Sequence, residues 1–154
     1  MRDRSKKIAG SRQRARAESG VVRSESAPAT RWWRLRWPSE FDRRATRVMS
    51  ACLWNVCAIR PAARFGSAAR DPVTAVGLAL ALGPAADGRL EFDFAMTAVA
   101  LNARRGDWTA CLTMSYMLRQ LGCGSPRCAK IAPSWIAHAA SIRRPIRNPE
   151  ATDA

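Results

Sequence analysis

The stretch from Asp71 to Gly122 constrains this chain most, because its punctuation sets three helices in fixed places. Asp71 can cap a helix through its carboxylate, and Pro72 at the first helical position gives up an N–H that has no partner there anyway. Val73 to Leu82 is apolar nearly all round, which predicts a helix buried on several sides. Gly77 inside it costs about 1 kcal/mol against alanine, or lets a neighbour approach closely. Gly83-Pro84 stops it. Leu90, Phe92, Phe94 and Met96 then alternate with Glu91, Asp93 and Ala95 at strand spacing, while Phe92, Met96, Val99 and Ala103 make a helical stripe. The helix, from Leu90 to Arg104, is the expected form, since the alternation ends after Met96 and no second strand exists to pair with it. Gly106 ends that helix with a positive φ, and Asp107 caps the next. Cys111, Met114, Met117, Leu118 and Leu121 form its apolar face, Thr109, Thr113, Tyr116 and Gln120 its polar one, and Gly122 its end.

The flanks extend the pattern. Ser39 caps a first helix that opens at Pro38, with Glu40 and Asp42 in its first turn suiting the helix dipole. Phe41, Ala45, Val48, Cys52, Val56 and Ile59 recur at helical spacing, with Met49 and Leu53 widening the stripe and Arg43, Arg47 and Ser50 facing away. Arg60-Pro61 ends it, and residues 61–70 read as a loop containing Gly66. After Gly122, Ser125-Pro126 starts a short turn, and Ser134 caps a last helix, Trp135 to Arg144, with Trp135, Ala139 and Ile142 inward. The longest apolar run, Val73 to Ala86, is broken by Gly83-Pro84 and falls short of the roughly 20 residues that span a bilayer. The expected architecture is all-α: a helical domain over residues 39–144, a disordered basic arm over 1–38 and a disordered tail over 145–154.

Charge separates these parts. The net charge is +14, which favours anionic partners: nucleic acid, an acidic protein or an anionic membrane surface. Residues 1–47 hold 14 Lys/Arg against 5 Asp/Glu, whereas residues 48–122 hold 7 against 5, so the arm carries most of the excess. Residues 1–30 have almost no large apolar side chain and cannot offset their ordering entropy. Their Arg/Ser/Ala richness also suits a mitochondrial or plastid transit peptide, against which Asp3, Glu18 and Glu25 count. Arginine outnumbers lysine 23 to 3 and alanine abounds, as in a GC-rich coding region; mutational bias explains such arginine as well as a ligand does, and so does a reading frame without a selected function. Five cysteines, with no N-terminal apolar segment of the secretory kind, point to reduced thiols in an intracellular compartment.

Arg31-Trp32-Trp33-Arg34-Leu35-Arg36-Trp37 is the oddest segment. One reading folds one or two of its tryptophans back on the helical core as a lid. A second stacks them on bases while arginine neutralises phosphates. A third lays them on a membrane interface.

Other chemistry is sparse. Cys52/Cys57 and Cys123/Cys128 share C-x4-C spacing, and with His138 they could be assembled into a zinc site. The first pair would point to different helix faces. The second lies in a turn and is the better candidate, but its spacing is nonstandard, and plain thiols are the expectation. His138 falls between Trp135 and Ile142 on one helix face, in a structural role. Glu91 and Asp93 read as solvent-facing charges near a helix start. No Gly-rich phosphate loop and no nucleophile-base arrangement is present, so neither catalysis, metal nor cofactor is expected.

Two helical hairpins repeat weakly. Val48 to Asn55 echoes Ala95 to Asn102, and Val73 to Val76 echoes Trp108 to Cys111. The second hairpin, Phe94 to Pro126, resembles a pentatricopeptide repeat in its small-residue first helix, its Gly106-Asp107-Trp108 turn, then Ala110 and Leu112, Met117, Gly122 and a following proline. Met49-Ser50-Ala51-Cys52 resembles the same family's first-helix core, in a degenerate unit over about residues 45–83. Tetratricopeptide repeats are similar by the same pattern. The resemblance implies a short right-handed stack of antiparallel hairpins. It implies base-specific RNA reading less well, because Ala95 or a neighbour stands where that family places a polar residue, and Ala95 cannot hydrogen-bond a base edge. The resulting expectation is a non-catalytic helical-repeat module that binds RNA weakly and without sequence preference through Arg31, Trp32, Trp33, Arg34, Arg36 and Trp37. A scaffold for a protein partner is the alternative.

Overall fold

The computed structural model describes residues 27–59 and 63–142, and every regular element among them is helical. In chain order the α-helices are α1 (Arg43–Ile59), α2 (Ala63–Ala68), α3 (Pro72–Leu82), α4 (Leu90–Arg104), α5 (Trp108–Leu121) and α6 (Pro126–Ile142). Tight 3-10 turns cover Ala29–Arg34, Pro38–Glu40 and Pro84–Ala86. Residues 1–26, 60–62 and 143–154 lie outside the described ones, and with them most of the expected disordered arm and all of the expected tail.

The centre of the structure is α4. Every residue from Phe92 to Ala103 is buried. The Ala29–Arg34 turn, α1, α2, α3 and α5 all pack on it. Ala95, Ala98, Ala100 and Ala103 are fully buried, so neighbouring helices come close on several sides. The polar groups of α4 are satisfied by bonds to the irregular parts of the chain. Thr97 Oγ1 donates to the Thr30 carbonyl at 3.0 Å, and Asn102 Nδ2 to the Ala68 carbonyl at 2.9 Å. Arg104 Nε donates to the Phe41 carbonyl at 3.1 Å. Arg105, just past the helix end, donates to the Ala69 carbonyl. Carbonyls at the ends of short helices have no partner within the helix. Asn102 and Arg105 supply such partners at the end of α2.

Local signals placed the middle helices. Asp71 accepts from the backbone N–H groups of Val73 and Thr74, at 3.1 Å each, and Pro72 opens α3. Gly83 follows its last residue at φ 66°, and Gly106 sits between α4 and α5 at φ 98°. Asp107 Oδ1 accepts from Ala110 N at 2.6 Å to start α5. Short connections make α4, α5 and α6 successive antiparallel neighbours.

Several expectations are corrected. The helix expected from Pro38 begins at Arg43: Phe41 leaves the helical region at ψ 72°, and Asp42, not Ser39, supplies the cap by accepting from Ala45 N at 2.7 Å. Its buried line is Phe41, Ala45, Met49 and Leu53, with Val48 exposed and Cys52 partly so; the side chains of Val56 and Ile59 lie outside the described ones. The expected loop over 61–70 contains α2, which buries Phe65 against Phe94 with ring centroids 5.8 Å apart. The expected turn and last helix are one helix, α6, that runs through an exposed Pro133. Ser134 Oγ bonds back to the Ile131 carbonyl at 2.6 Å and caps nothing. Trp135 and Ala139 face inward as expected, but Ile142 is exposed. The apolar α3 is not enclosed: Ala75 and Ala79 are buried, while Val73 is 79% and Leu80 51% exposed. Nothing approaches within 4 Å of a Cβ placed on Gly77, so that glycine does not admit a neighbour.

Candidate nucleic-acid interface

The Trp/Arg segment folds as a strap across the top of α4. Trp33 is fully buried, edge-on to Phe92 with ring centroids 5.8 Å apart. Beside it, Asp93 is 1% exposed and takes two arginines: Arg34 Nη2 at 2.6 Å and Arg31 Nε at 3.0 Å. Arg34 Nη1 also pairs with Asp87 at 2.8 Å. A buried carboxylate needs such partners to remain charged. This corrects the reading of Asp93 as a solvent-facing charge. The strap is fastened at its far end as well, where the Arg127 guanidinium donates to the Leu35 carbonyl from Nε at 2.8 Å and Nη2 at 2.5 Å.

The six segment residues therefore split in two. Trp33 is enclosed, and Arg31 and Arg34 are committed to Asp93. Trp32, Arg36 and Trp37 remain at the surface in whole or part. Trp32 donates from Nε1 to the Ala27 carbonyl at 2.9 Å, and the Arg36 guanidinium lies 4.0 Å from the centre of its ring. This stack forms one wall of a cleft of about 550 Å³ whose other wall is the capping Asp42 with Arg44, Ala45 and Val48 of α1. Arg36 Nε is buried there without a hydrogen-bond partner among the described residues. Arg43, Arg44 and Arg47 are exposed on α1, and none of the ion pairs among the described residues involves them. Sequence spacing has Arg43 and Arg47 facing solvent, but gives no sign that Arg44 lies across a cleft from Trp32 and Arg36, because that adjacency arises from the fold-back of the strap.

A second concavity lies on the opposite side of the Trp37–Ser39 corner. Trp37 is 39% exposed and faces Arg104 from α4 and His138 from α6. Arg104 Nη1 lies 3.2 Å from His138 Nε2; a guanidinium only donates, so Nε2 accepts and the ring proton sits on Nδ1. Partial burial, with the nearby Arg104 charge, pushes the His138 pKa below its ordinary value. The histidine is thus held neutral.

The thiols do not converge. Cys128 is buried, its Sγ 3.9 Å from the Arg34 carbonyl, whereas Cys123 is exposed. Burial, and the Asp107 charge after it, push the Cys111 thiol up to about 11, which keeps it protonated and a poor nucleophile. The side chain of Cys57 lies outside the described ones. Among the described residues no three His, Cys, Asp or Glu side chains are grouped to hold a metal ion, and no helix is long and apolar enough to cross a membrane. No family model matches the chain, and neither a curated protein nor a solved structure is similar to it.

Proposed function

We propose that the chain is a non-catalytic helical module that binds single-stranded RNA weakly and with little sequence preference. The observation that carries this reading is Arg44 of α1 across the cleft from the Arg36–Trp32 stack, with Arg43 and Arg47 exposed on the same helix and none of the three in an ion pair among the described residues. Arginines free of carboxylates neutralise phosphates, and a partly open indole offers a base a face to stack on. The interface is narrower than the whole Trp/Arg segment, since Trp33, Arg31 and Arg34 are occupied in holding the strap. The packing of α1 on α4 and of α3 on α5 supports the repeat reading, a short right-handed stack of two hairpins in which first helices adjoin first helices and second adjoin second. The α2 segment, packed on both α1 and α3, separates the members of the first hairpin.

Fluorescence anisotropy of a labelled oligouridylate against the full chain, repeated over a range of salt, tests the proposal. Four arginines engaging four phosphates give a log–log salt slope of about −0.7 each, near −3 in total. Arg43→Gln/Arg44→Gln/Arg47→Gln, which touches no buried group, should weaken binding and bring the slope to about −0.7. If the triple variant binds like the parent, the interface is elsewhere and the reading fails. A second reading, a scaffold for a protein partner, rests on the exposed Val73 and Leu80 of α3.

A further inference from the structure

The groove at the Trp37–Ser39 corner has a composition unlike the cleft on α1. Its volume is about 460 Å³, within the range of small-ligand sites. One side is the exposed ring of Trp37. The other presents Arg104 and His138, with Ser39, Ser134 and Ser141 around them and no carboxylate among the described residues of the lining. The hydrogen-bond inventory shows what is left for a ligand. Arg104 uses Nε on the Phe41 carbonyl and Nη1 on His138, and its Nη2 has no bond among the described residues. His138, with Nε2 occupied, has the Nδ1–H to give. Ser134 and Ser141 already donate to backbone carbonyls and can still accept. The groove thus offers donors, one fixed positive charge and an aromatic face, a set that takes an anion attached to a planar ring.

We propose that this groove holds one nucleotide, its base against Trp37 and its phosphate against Arg104 and the Nδ1–H of His138. The proposal rests on the RNA reading and gives it a subsite on a face the α1 arginines do not share. The same chemistry could come from a free mononucleotide or from one residue of a strand, and the test separates the two.

His138 is the only histidine, so its imidazole proton resonances report on the groove alone. Adenosine 5′-monophosphate titrated into the full chain should move them saturably, with adenosine and inorganic phosphate each binding more weakly. Trp37→Leu should cost the mononucleotide about tenfold in affinity through lost stacking and leave inorganic phosphate unchanged. His138→Gln should weaken both, and circular dichroism melts of the two variants establish that they fold. A shift with the mononucleotide alone, and no oligouridylate binding by the same chain, would assign the groove to free nucleotides and end the RNA reading. Oligouridylate binding that needs the α1 arginines but is unchanged in Trp37→Leu and His138→Gln, with the His138 resonances still, would overturn the groove and leave the RNA reading standing.

Discussion

Helices α3 and α4 reverse what their sequences suggest. The more apolar one, α3, has no charged side chain between Pro72 and Leu82, yet it lies at the edge with Val73 and Leu80 in solvent. The more polar one, α4, carries Asp93, Thr97 and Asn102, yet it is buried through almost its whole length. Apolar character makes burial favourable but does not choose the site of burial. Here that choice follows polar satisfaction. Three polar groups of α4 reach other segments: Asp93 the strap arginines, Thr97 the Thr30 carbonyl, and Asn102 the end of α2. A helix of alanine, valine and leucine has no such groups with which to fasten short segments.

Large-to-small changes in the two helices should differ most. Phe92→Ala removes a fully buried ring that holds Trp33, and should destabilise the protein by about 3–5 kcal/mol in urea melts. A loss below about 1 kcal/mol would mean that the strap contributes little and that α4 is not central.

The polar half of the comparison is sharpened by Arg34→Ala. It leaves Asp93 buried with Arg31 alone, whose side chain is 51% exposed and whose pairing is screened. The expected cost is about 2–3 kcal/mol, below that of an entirely stranded buried charge. Arg34→Ala/Asp93→Leu should recover part of it, because the double variant buries no unpaired carboxylate. Equal stability of the single variant and the parent would show that the pair does not fasten the strap.

Gly106, which turns α4 into α5, comes next. A Cβ there meets Ile142 Cγ2 only at an ordinary 3.6 Å, so Gly106→Val is opposed by its φ of 98° rather than by space. The expected loss is about 1–2 kcal/mol. An unchanged melting curve would mean the turn relaxes freely and that the two helices need not meet there.

These contrasts also show what could be read in advance. The bounds of α3, α4 and α5 were legible because Asp71, Gly83, Gly106 and Asp107 act on backbone within a few residues of themselves. The lid reading of the tryptophan segment was open from composition, but its anchor was not, since Asp93 lies 59 residues from Arg34 in sequence. Helix α2 was missed for the same reason: Asn102, 34 residues away, satisfies its end. The start expected at Ser134 does not occur, because Pro133 removes one helical bond but its exposed ring lets α6 continue across the gap. The candidate interface was half legible. Which arginines and tryptophans are surface-bound depended on pairings that no local spacing encodes.

Arg104, at the end of α4, is satisfied in part by a neutral His138, so pH probes that polar tie directly. The folded ring has its pKa lowered, so unfolding takes up a proton as pH falls through the ordinary histidine value of about 6.5. Stability should be full above that pH and decline as pH drops toward the folded pKa. Arg104 is the charged group facing the ring, and the rest of the groove lining is Trp37, Pro38, Ala137 and serines. His138→Gln should flatten the decline in thermal melts between pH 7 and 5. A variant with the same pH profile as the parent would place the titration elsewhere.

The smallest effect belongs to the outer face of α3. Val73→Ser and Leu80→Ser remove side chains that are 79% and 51% exposed, so each should change stability by no more than about 1 kcal/mol. Together they also separate two accounts of why an apolar helix sits at the edge. If nothing covers it, the double variant should differ from the parent by the same small amount at every protein concentration. If a second copy or another protein covers it, the parent should elute earlier from a sizing column as concentration rises, and the double variant should not. A large loss of stability in dilute solution, where no partner is present, would instead show that Val73 and Leu80 are enclosed within the chain. The contrast between α3 and α4 would then collapse.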